Sequence, residues 1–330
     1  MPSQRVSKEH GLVLPLCVVV AFALTSGQAQ ADSAAPAEAA LASGYASGEM
    51  PQARALALGG AAYVLGGSTT GAVYNPANLG LLKAYHMDAL AAFVPVAGRQ
   101  TYGAMIADNS SVRTAMGLAG TWNRMEKDGL RQTWWDARVS AAYPLGERAH
   151  LGLSGRYLAI TQLDTRLPGA PRETATDGFS AGAGVAFALG ESLRAGLSGE
   201  NLLGASDALL PRRIAAGLGL RTGELTTEVN GLLDTSSGPS ATWGVRAGAE
   251  WLQGEHVPLR AGYSYDELRR THAAAGGIGY VGSKVGFDAS VRHEFSGDVP
   301  GTTFVVALRY FVDVAGGSAA EEAADGGDGL

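Results

Sequence analysis

Apolar and polar residues alternate with period two through most of the chain after Tyr85. In the stretch TWGVRAGAEW, Trp243, Val245, Ala247, Ala249 and Trp251 take the odd positions, while Gly244, Arg246, Gly248 and Glu250 take the even ones. That period marks a strand with two unlike faces. Val285, Phe287, Ala289 and Val291 oppose Lys284, Asp288, Ser290, Arg292 and Glu294, and Trp135, Ala137, Val139, Ala141 and Tyr143 oppose Asp136, Arg138 and Ser140. Leu151, Leu153 and Tyr157 stand against His150, Ser154 and Arg156, and Phe304, Val306, Leu308, Tyr310 and Val312 against Arg309. Runs of this kind, bounded by Gly, Pro, Asp or Ser, predict strands near 85–94, 100–107, 115–123, 133–143, 149–164, 177–189, 192–200, 212–222, 224–234, 242–252, 257–266, 271–281, 284–294 and 302–312.

The apolar faces end in aromatic residues. Trp135 and Tyr143, and again Trp243 and Trp251, are eight residues apart, which is roughly 26 Å along a strand. Tilted by ~40°, that is about 20 Å of height, close to the ~25 Å apolar band between the aromatic girdles of a membrane barrel. Tyr310 falls in the same class. These residues predict an apolar face turned to lipid, with rings at its two water boundaries. A sheet in hydrocarbon must close on itself, because unpaired backbone groups there cost several kcal/mol each. A soluble two-sheet sandwich is the alternative, but it would bury the girdle-like tryptophans.

Connection lengths point the same way. Links after the even-numbered strands 4, 6, 8, 10 and 12 are short, and those after strands 3, 5, 7, 9 and 13 are longer, notably 165–176 and 202–211. Short periplasmic turns and long outer loops characterise outer-membrane barrels. The fold class expected is all-β: a closed antiparallel transmembrane β-barrel of about fourteen strands, residues 85–312, with both chain ends periplasmic.

Composition refines this picture. Glycine occupies 47 of 330 positions, about twice the usual ~7% share, and long helix-forming blocks are scarce after residue 84. The net charge of −6 and arginines scattered along the chain give no footprint for nucleic acid. Arg5 and Lys8 precede the apolar run Leu12 to Leu24, and Ala29-Gln30-Ala31 offers small residues for cleavage. Residues 1–31 therefore read as a signal peptide, with a membrane anchor over 12–24 as the alternative. The single cysteine, Cys17, lies in that run, so cleavage leaves no thiol for a disulfide, a metal or a nucleophile. Residues 32–53 read as a flexible leader, 54–84 as an inward-folded plug, and 313–330 as an acidic disordered tail.

The segment Arg54-Ala-Leu-Ala-Leu-Gly59-Gly60-Ala-Ala-Tyr63, followed by Ser68-Thr-Thr-Gly-Ala-Val-Tyr-Asn75-Pro76-Ala77-Asn78-Leu79, resembles the N-terminal signature of the FadL and PorV-like outer-membrane proteins. Asn78 stands where glycine is usual in that motif. Leu193 to Leu203 is similar to a strand common among PorV-like proteins. The resemblance implies a fourteen-stranded barrel with an N-terminal plug and periplasmic termini. It implies one of two activities: passage of small hydrophobic or amphipathic molecules across the outer membrane, as FadL relatives perform, or assistance to secretion-system proteins in export or surface attachment, as PorV-like relatives provide. Independently of it, Asn75 is a good N-cap and Pro76 suits the first position of a short helix over 76–82. The same residues could be a simple turn holding the first strand.

The polar faces carry the other candidate residues: Asp136, Arg138, Arg156, Arg246, Glu250, Asp288, Arg292 and Arg309, together with Arg194, Glu200, Arg221, Glu224, Glu228, Arg260, Asp266, Lys284 and Glu294. Both signs occur on neighbouring strands, so these groups can pair across the wall or line a water-filled path. Catalytic signals are weak. There is no Gly-x-Ser-x-Gly elbow, no histidine pair at ligand spacing and no cofactor motif, since Gly182-x-Gly184 and Gly217-x-Gly219 lack a following helix. A non-enzymatic barrel without cofactor or metal is expected, its partners being outer-membrane lipid and either a hydrophobic substrate or secretion-system proteins.

Overall fold

A computed structural model describes residues 50–110, 113–204, 209–238, 240–296 and 301–312. The expected signal peptide, most of the leader and the acidic tail lie outside the described residues. Fourteen strands form one closed antiparallel barrel in which every strand pairs with its sequence neighbours and the last pairs with the first. They are β1 (Tyr85–Val94), β2 (Arg99–Asp108), β3 (Ala115–Lys127), β4 (Leu130–Pro144), β5 (Ala149–Asp164), β6 (Glu173–Ala188) and β7 (Leu193–Gly204). The second half comprises β8 (Arg213–Thr222), β9 (Leu225–Asp234), β10 (Thr242–Gln253), β11 (Val257–Asp266), β12 (Thr271–Val281), β13 (Val285–Glu294) and β14 (Thr302–Phe311). Closure runs from His86 opposite Phe311 to Phe93 opposite Phe304, so no strand keeps a free edge.

One connection departs from the expected loop pattern. β3 and β4 continue beyond their apolar stretches, pairing out to Lys127 opposite Leu130, and Asp128 and Gly129 alone join them. Both turn residues have positive φ, 51° and 81°, as the favoured two-residue hairpin turn requires. The link after β3 is therefore short and not long. A second irregularity lies in β7, where the register with β6 shifts between Ala181 and Ala183. Buried Asn201, at φ 52°, fixes this kink by donating to the Pro211 carbonyl at 2.7 Å and accepting from the Ser180 hydroxyl at 2.6 Å.

The outer face is apolar over the middle of the wall. Trp135 is 60% exposed and Leu308 58%, and Tyr143, Trp243, Trp251 and Tyr310 are exposed beside Leu153, Phe179, Val285 and Phe304. Glu224, read from alternation as inward, lies instead in the β8–β9 turn, where it accepts the outward Trp251 indole N–H at 3.0 Å.

The inner face meets an ordered segment of the same chain. Helix α1 (Ala53–Ala57), helix α2 (Thr69–Tyr74) and a 3-10 helix (Pro76–Leu81) lie within the wall. Met50 and Gln52 are buried and α1 begins at Ala53, so the last four residues of the range read as leader belong to this packed segment. α1 touches β11 to β14, while α2 and the 3-10 helix touch β1 to β6. Between them, Met50, Tyr63, Val73 and Tyr74 form an apolar core with Leu90, Met105 and Ala215 of the wall.

Candidate functional site: the inner segment and the charged wall around it

The segment's backbone conformation follows from its sequence. Asn75 caps the 3-10 helix, its side-chain oxygen accepting from Ala77 N–H at 3.1 Å, and Pro76 follows at the first position. The Asn75 amide also donates to the Tyr63 carbonyl at 2.9 Å and to Val185 of β6 at 3.3 Å, and Asn78 donates to the same Tyr63 oxygen at 3.0 Å. Asn78, at the position where glycine was expected, thus serves as a second amide clamp on one carbonyl. Gly59 and Gly60 adopt φ of 67° and 87°, which turns the chain back after α1.

Glycines of the wall admit the segment. A Cβ at Gly248 would come within 2.6 Å of the Leu58 carbonyl oxygen, and one at Gly152 would collide with the backbone of Pro76 and Ala77. Gly248, Gly152 and Gly262 thus stand where the segment's backbone touches the wall.

Polar side chains of the wall bind the segment's backbone. Arg138 donates to the Val73 carbonyl at 2.7 Å, Ser140 to Ala72 at 2.8 Å and Ser198 to Tyr74 at 2.9 Å. Glu228 of β9 accepts the N–H groups of Val64 and Leu65, each at 2.8 Å. These contacts satisfy backbone groups that neither helix nor sheet would otherwise pair.

The charges form connected pairs. Asp136 receives Arg156 through two hydrogen bonds, 3.0 and 2.7 Å, and Arg138 at 3.5 Å. Arg246 stands 3.7 Å from Asp266, and Arg292 3.6 Å from Glu294. A longer chain starts on α1: Arg54 binds Glu250 at 3.0 and 3.1 Å, Arg260 bridges Glu250 to Asp288, and Arg309 joins Asp288 to Asp88 at 3.8 and 2.8 Å. The Thr69 hydroxyl of α2 donates to Asp88 and ends the chain. It therefore ties both helices of the inner segment to strands β10, β11, β13, β14 and β1.

Of the seventeen wall charges singled out by alternation, Asp136, Arg138, Arg156, Arg246, Glu250, Asp288, Arg292 and Arg309 lie in these pairs, as do Arg260, Asp266 and Glu294, whereas Lys284 lies in the exposed β12–β13 turn and not on the inner face. Sequence reasoning missed Asp88, whose alternating position between His86 and Leu90 was the available signal. It also missed the partnership of Arg54 with Glu250, for which 196 residues of separation left no local signal. Among the described residues, no group of three or more His, Cys, Asp or Glu side chains is placed to hold a metal ion.

At the end of the bore opposite the short turns, the interior changes character. Met125, Trp134, Leu158 and Ile160 form a buried apolar cluster with Leu209 and Leu210, which precede β8. Arg99 stacks its guanidinium 5.0 Å from the Trp134 ring centre.

The fold is similar to several solved barrels. The Ralstonia pickettii toluene transporter TbuX superposes with a TM-score of 0.61 at 13% identity, the match covering 80% of this chain and 98% of that one. The CymD monoaromatic hydrocarbon channel gives 0.60 at 16% identity, with 79% and 96% covered. A Pseudomonas aeruginosa FadL homologue gives 0.55 at 12%, with 76% and 95% covered. At these identities the likeness is one of fold. No protein-family model and no curated protein sequence matches the chain.

Proposed function

We propose that this chain is a channel of the Gram-negative outer membrane for small hydrophobic or amphipathic compounds, in which residues 54–84 act as the plug and both chain ends face the periplasm. The observation that carries the reading is the pairing of a closed wall, apolar outside, with an ordered inner segment pinned to its bore. A closed wall leaves no unpaired backbone in hydrocarbon. Exposed rings at Trp135, Tyr143, Trp243, Trp251 and Tyr310 suit the two interfaces. The similarly folded TbuX and CymD are a toluene transporter and a monoaromatic hydrocarbon channel, which supports the substrate class. The ordered pairing of wall charges with one another and with the inner segment fits a binding and gating role rather than catalysis.

Purified protein in liposomes tests this directly. Uptake of toluene or a fluorescent fatty acid is expected to exceed that of empty liposomes, and deletion of residues 54–82 is expected to raise it. Absence of uptake in both forms sinks the reading. The PorV-like alternative, a partner of secreted proteins, rests on the motif at residues 54–82, and co-purification of an exported protein or secretion component would favour it.

A further inference from the structure

A cavity of about 200 Å³ opens at the short-turn end of the bore, between the two helical parts of the inner segment. Four arginines face it, Arg54, Arg194, Arg221 and Arg309, against the acids Glu191 and Glu250. Two of the arginines are already committed: Arg54 to Glu250 at 3.0 Å and Arg309 to Asp88 at 2.8 Å. Arg194 and Arg221 differ, for neither side chain makes a hydrogen bond or ion pair with the described residues.

The sheet places these two on one face. Arg194 of β7 lies opposite Gly219 of β8, so Arg221, two positions on, points to the same side as its diagonal neighbour. Such neighbours stand roughly 7–8 Å apart at their backbones, and like charges on adjacent strands are unfavourable unless something compensates them. Glu191 sits on the exposed β6–β7 turn and pairs with neither. Thr70 of α2 adds a hydroxyl that bonds no other described residue. Two free guanidinium forks and a hydroxyl facing a partly enclosed space match the geometry of a carboxylate or phosphate oxyanion.

The geometry points to a binding site for a compact oxyanion in this cavity, held between Arg194 and Arg221. A small organic acid and a phosphate group share the chemistry the site recognises. Binding is an equilibrium property and stands apart from flux, so it is measured without any transport assay.

The test is calorimetric titration of the full folded chain in detergent, at low ionic strength, with sodium benzoate and separately with inorganic phosphate. Closure of each variant is checked by the gel shift between boiled and unboiled samples. At least one anion is expected to saturate, and the R194Q/R221Q double variant is expected to bind about tenfold more weakly or worse, since each charge-assisted fork is removed. Arg166→Gln, at the far end of the bore, is expected to leave binding unchanged. If the double variant fails to close, R221Q alone carries the test, because Arg221 is exposed and pairs with no described residue. Saturation by benzoate, phosphate or both, weakened in the variant, supports the site and identifies its anion. Saturation by neither anion overturns it, as does unchanged affinity in the double variant or, where that variant fails to close, in R221Q.

Discussion

The two mouths of the bore are built from the same fourteen strands yet hold opposite contents. At the long-loop mouth, Met125, Trp134, Leu158, Ile160, Leu209 and Leu210 form a buried apolar cluster. At the short-turn mouth, Arg54, Arg194, Arg221, Arg309, Glu191 and Glu250 surround a cavity. The outer face shows no such contrast, being apolar from girdle to girdle. Lipid dictates the outside uniformly, whereas the inside is set locally by whatever fills it.

Breaking the ionic mouth carries the largest expected effect. Glu250→Gln leaves Arg54 and Arg260 without their shared carboxylate, and stripping one partner from a largely buried ion pair costs about 3–5 kcal/mol. A urea titration of the folded band should show the midpoint fall, and an unchanged midpoint would mean the chain of pairs is incidental. Breaking the apolar mouth comes next: Leu158→Ala, at a fully buried site, is expected to cost about 2–5 kcal/mol. The same titration reads it, and the paired values rank the two mouths.

Glu228→Gln sharpens the comparison between wall and inner segment. It weakens the hydrogen bonds from Val64 and Leu65, each charge-assisted bond being worth about 1.5–3 kcal/mol. Limited proteolysis should then cut within residues 58–68 faster while the barrel stays closed. Equal cleavage rates would show that the carboxylate does not anchor the segment. Smallest of all is Glu126→Gln on the β3–β4 rim, whose pairs with Arg124 and Arg131 are solvent-exposed. Its melting temperature should match that of the parent, and a measurable drop would extend the structural role of charge beyond the bore.

How far the sequence was legible follows from the same contrast. Hydrophobic alternation located all fourteen strands because lipid enforces it on the outer face. It lost the ends of β3 and β4 where Arg124, Glu126 and Arg131 carry the strands past the girdle, since the outward face turns polar there while Met125 points inward, which reverses the pattern. Inward apolar residues such as Trp134 and Leu90 were unreadable for the converse reason. They interrupt the polar face, and only the inner segment or the residues before β8 explain them. Asn75 and Pro76 were readable because a cap is local chemistry; Glu228 and Glu250 were readable as inward charges, but their partners on the inner segment were not.

The wire of ion pairs has a consequence for biogenesis. Asp88 sits on the first strand and Arg309 on the last, so in any half-inserted sheet with that seam unzipped the two occupy separate rims. The inner segment then reaches across the open seam, holding the first strand through Thr69 and Asp88 and the later strands through Arg54 and Glu250. Sealing the cylinder and latching its stopper thus become one event.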